Sequence, residues 1–172
     1  EAPKGIKITP EAILSSIKRN SDIMLGKAPR KELEVHPKAK KILRGSGIRG
    51  MKTFVDEILM WPDKMTKEEI AKFAAFISIS IEHAGAGNTF YRKAYANFLT
   101  EAAALLKNDQ LSSLAQRFYK VGEAWNALSK KFLELRRDFT LENLQEARQM
   151  VLSIHDQEFE IFSELNELSG VS

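Results

Sequence analysis

The sequence predicts an all-α bundle of about six helices with two long C-terminal helices, and three observations carry that expectation. Apolar residues recur at steps of three and four through most of the chain, capping signals stand where these runs begin, and no alternating strand pattern occurs beyond a stub, "GIKI", at residues 5–8. With 172 residues and a hydrophobic fraction of 44%, the chain can bury a core without metals or disulfides. Residues 9–170 are therefore expected to form one helical domain, and residues 1–8 an extended stub of a preceding domain.

The elements follow in order. Thr9 before Pro10 is an N-cap with proline at the first helical position, and Ala12, Ile13, Ile17, Met24 and Leu25 give a helix that ends at Gly26. A basic connection follows. Ile48, Met51, Phe54, Val55, Ile58 and Leu59 then return to helical spacing, and Pro62 is read as the stop just past Trp61. "TKEE" at 66–69 is a capping box that opens a helix with Ile70, Phe73, Ala74, Ile77 and Ile81 inward. "GAGN" at 85–88 makes a corner, its glycines free to take positive φ and Asn88 able to cap the next helix. That next helix carries Tyr91, Tyr95, Phe98, Leu99, Ala102, Ala103, Leu105 and Leu106 on nearly every face, which predicts a central position.

Two long seams close the chain. Leu111, Leu114, Phe118, Val121, Trp125, Leu128, Phe132 and Leu135 step by three and four without a fault. The last helix, capped by Thr140 and closing near Gly170, repeats the pattern with Leu144, Ala147, Val151, Ile154, Glu158, Ile161, Leu165 and Leu168. One member of that seam is a carboxylate.

Composition excludes several chemistries. The absence of cysteine removes thiol nucleophiles, disulfides and iron–sulfur clusters. None of His36, His83 and His155 has a glutamate three residues before it, so the di-iron ligand pattern of helical bundles is missing, and neither metal nor cofactor is expected. No G-x-S-x-G elbow occurs, so catalytic residues are not assigned. "GSGIRG" at 45–50 spells a dinucleotide fingerprint, but a lysine-rich helical stretch precedes it instead of a β-strand; it is read as a flexible helix entry. No apolar run approaches the roughly 20 residues of a membrane span, and the first residues lack a signal peptide's hydrophobic region, which predicts a soluble cytoplasmic protein without membrane contact.

Charge is uneven. The formal net charge is +3, yet residues 27–52 hold nine cations, Lys38, Lys40, Lys41 and Arg44 among them, against Glu32 and Glu34. Such a connection attracts an acidic partner through long-range steering. Residues 27–47 contain no aromatic side chain to stack on bases, so nucleic acid is not expected. The chain opens without methionine, in keeping with a piece of a longer polypeptide.

Arg92 and Glu158 are the odd residues of the pattern. Arg92 opens an apolar helix, so its guanidinium wants a carboxylate or an anionic ligand, and Glu158, out of place in its seam, is the economical internal partner.

"GAGNTFYRKAYANFLTEAA" at 85–103, then "FYKVGEAWNALSKKF" at 118–132 and, more weakly, "GIRGMKTFVDEILMWPD" at 47–63, resemble the helical domain of unknown function that follows the N-terminal domain in proteins of the butirosin biosynthesis acyltransferase (protein H) family. The resemblance covers most of residues 5–136. It places Gly85, Gly87 and Arg92 on the family's motif, while Ala86, Asn88 and Thr89 depart from its glycine-rich wording. It implies a helical accessory domain that packs on a papain-like N-terminal domain of the same polypeptide, with Gly85, Gly87, Asn88, Arg92 and Tyr95 at a ligand or interdomain contact. It also implies an acidic carrier protein as partner, with Lys38, Lys40, Lys41 and Arg44 as the docking residues. The isolated chain is then not an enzyme. The alternative reading is a structural or oligomerisation module whose long helices, 111–136 and 141–169, form an extended interface.

Overall fold

A computed structural model describes residues 8–27, 46–83 and 91–170. Seven helices are present there and no strand: α1 (Pro10–Met24), α2 (Gly47–Ile58), α3 (Trp61–Lys64), α4 (Lys67–His83), α5 (Arg92–Leu106), α6 (Asp109–Arg137) and α7 (Leu141–Gly170). Residues 5–7 of the "GIKI" stub, Lys38, Lys40, Lys41 and Arg44 of the basic connection, and Gly85, Gly87 and Asn88 lie outside the described residues, while Ile8 is exposed.

Local chemistry sets the boundaries. Thr9 accepts from the Ala12 amide at 3.2 Å, and Gly26 beyond the C-cap takes φ +71°. Gly47 has φ +61°, and a Cβ there would lie 2.5 Å from the Met24 carbonyl oxygen, so the "GSGIRG" glycine serves a close helix approach where flexibility had been the expectation. Pro62 does not stop α2. The chain turns at Leu59–Met60, and Pro62 takes the second position of the short α3, where its missing N–H costs nothing. At α4 the capping box closes as expected, with the Thr66 amide and hydroxyl donating to Glu69 at 2.8 and 2.9 Å. The Thr66 bonds hold the Glu69 carboxyl below its ordinary range.

The two long helices organise the rest. α6 lies against α4, α5 and α7, and α7 in turn packs on α1 and α2. All eight apolar residues of the α6 seam are buried, from Leu111 to Leu135. Burying each such side chain contributes about 1.5–3 kcal/mol, so this seam is the main source of cohesion. α5, expected at the centre, instead covers one side of α6 and leaves Leu105 exposed. Its buried face is Ala96, Leu99, Ala102 and Ala103, three of the four being alanine. Phe73, expected inward, is 38% exposed; Ile70, Ala74 and Ile81 do face the core.

A buried charge cluster as candidate functional site

Three helices converge on Glu158. Its place in the α7 seam, between Ile154 and Ile161, forces the carboxylate inward, and its side chain has no solvent exposure. An unpaired carboxylate there would cost several kcal/mol. The first residue of α5 supplies the countercharge: Arg92 Nε donates to Glu158 Oε1 at 2.8 Å and Arg92 Nη2 to Oε2 at 2.9 Å. This is the fork-on-fork geometry in which guanidinium and carboxylate match best. From α6, the Trp125 indole Nε1 donates to Glu158 Oε1 at 2.7 Å. The same indole lies under the guanidinium, with Arg92 Cζ 5.1 Å from the ring centroid.

Arg92 keeps 17% exposure, so the cluster reaches the surface at the point where the chain enters α5. The residue before it is unusual. Tyr91 has φ +63° in the left-handed region, is not glycine, gives α5 no side-chain cap and leaves its ring exposed. Backbone of this kind costs on the order of 1 kcal/mol and persists where neighbours over-determine it. The fixed Arg92 is such a neighbour.

Tyr95, one turn further, is half-buried against Phe98, Phe118 and Phe162, with centroids 5.2–6.2 Å away. Burial pushes its hydroxyl pKa up, only partly opposed by the Asn20 side chain. Asn20 is a polar neighbour without bonding geometry, since the hydroxyl oxygen has no hydrogen-bond partner. Among the expected site residues, the structure thus unites Arg92 with Glu158 and sets Tyr95 nearby on the same helix. Trp125 had been read only as a seam residue. A buried indole N–H needs an acceptor, and that requirement was the available signal.

Two further polar clusters tie the bundle. One turn along α6 from Trp125, the buried Ser129 hydroxyl shares a 2.8 Å bond with the Ser78 hydroxyl and lies 3.0 Å from Glu82 Oε1, close to the end of α4. At the other side of the bundle, Asp22 accepts from Lys18 at 2.7 Å and from the Asn166 amide at 2.7 Å, which joins α1 to α7. Among the described residues no group of histidines and carboxylates has the arrangement of a metal site, and no helix is long and apolar enough to cross a membrane. A shallow groove of about 420 Å³ lies between the α3–α4 and α6–α7 corners, lined mainly by Pro62, Met65, Ile70, Phe139 and Leu141, remote in sequence from the charge cluster.

Comparison with known proteins adds one finding. No curated protein and no solved structure matches the chain. A family model does match, over residues 1–165, and the chain therefore belongs to the family described as a domain of unknown function, DUF4872.

Proposed function

We propose that the chain is a non-catalytic helical accessory domain of a larger protein resembling butirosin-type acyltransferases. In this reading it packs on a papain-like N-terminal domain and helps to form that domain's substrate pocket. The observation that carries the reading is the closure of the Arg92 cluster. The carboxylate of Glu158 already accepts three charge-assisted or indole hydrogen bonds, so the cluster acts as an internal latch. A latch at the first residue of α5 fixes where that helix begins and holds Tyr91 outward in a strained conformation. Exposed aromatic residues on a pre-organised corner are the usual anchors of an interface. The family resemblance of the same segment supplies the partner. In the same reading the basic connection, with Lys38, Lys40, Lys41 and Arg44, receives an acidic carrier protein.

Co-expression of the helical domain with a papain-like domain of the same polypeptide tests the proposal. The two should co-purify, and Tyr91→Ala should weaken the pair without lowering the melting temperature of the helical part. A papain-like half that keeps full turnover alone and fails to bind the helical domain would overturn it.

A further inference from the structure

We draw no further inference here: the strongest candidate, the exposed apolar stripe of Phe73, Phe76 and Ile79 along the outer side of α4, carries nothing because no observation in the structure shows what covers it.

Discussion

Arg92 and Glu158, 66 residues apart in sequence, meet through two parallel hydrogen bonds of 2.8 and 2.9 Å, and the indole of Trp125 holds the shared carboxylate from a third helix. The pair is a tie between α5 and α7 across α6, made where an apolar core would otherwise close. Its geometry sets what each conservative substitution does. Arg92→Lys keeps a charge but loses the fork and the stacking on Trp125, and should cost about 1–3 kcal/mol. Trp125→Phe keeps a ring but removes the N–H, and should cost a similar amount. Chemical denaturation of both variants measures this; a cost below the experimental error in each would refute the tie.

Tyr95 gives the opposite expectation. Its hydroxyl is buried without a hydrogen bond, so Tyr95→Phe should be neutral or stabilise by up to about 1 kcal/mol. Burial raises the hydroxyl pKa, which means that the stability it protects is present below the unfolded value of about 10 and is lost as pH rises through the folded value. Melting temperatures at pH 7 and in alkali check both points: the variant should lose less stability than the parent above pH ~10. A loss of stability at neutral pH would show that the hydroxyl is bonded after all.

Asp22 contributes to the acid limb. Burial pushes its carboxyl pKa up, but the Lys18 ammonium, the Asn166 amide and Lys27 outweigh that and leave it below the ordinary value. A depressed folded pKa contributes stability above the unfolded value of about 3.9, lost as pH falls through the lower folded value. Asp22→Asn should therefore destabilise by about 1 kcal/mol at pH 7, after discounting for solvent screening, and its melting curve should converge on the parent's below pH ~3. Curves that remain parallel from pH 7 into acid would contradict the assignment.

The basic connection is tested by its charge. Alanine at Lys38, Lys40 and Lys41 together should weaken binding of an acidic carrier protein to the full-length polypeptide several-fold at low salt, and the difference should shrink as salt is added. Equal affinity of parent and triple variant across salt concentrations would remove the docking role.

Much of this architecture was legible because spacing and burial agree. The α6 seam from Leu111 to Leu135 repeats without a fault, and a carboxylate in the α7 seam marks a place where the core needs a countercharge. Legibility fails where composition offers no face. Period placed Ile70, Ala74 and Ile81 inward correctly and failed at Phe73, because "FAAFISISI" is apolar nearly all round and gives no charged residue to mark the outer side. α5 read as central because Tyr91, Tyr95, Phe98, Leu99, Leu105 and Leu106 put large apolar side chains on nearly every face, yet only Ala96, Leu99, Ala102 and Ala103 are buried and Leu105 faces solvent. Pro62 read as a stop, although proline is equally at home in the first turn of a helix. Trp125 shows the limit for the site: a seam position describes the burial of the ring, and the direction of its N–H depends on a neighbour from another helix.

The most direct test of the latch is a double-mutant cycle on Arg92 and Glu158 in the 172-residue chain, read by reversible unfolding. Arg92→Ala should cost about 3–5 kcal/mol because Glu158 is left charged, buried and unpaired, whereas Lys107→Ala on the surface should stay within about 0.5 kcal/mol. Removing both charges in Arg92→Met, Glu158→Leu should cost far less than the two single changes added together, since apolar replacements of a buried pair are often near neutral. The opposite result would be an Arg92→Ala chain that melts with the parent but, in the full-length polypeptide, no longer binds or turns over its ligand; Arg92 would then hold an anionic group in a cleft, and the latch would be refuted.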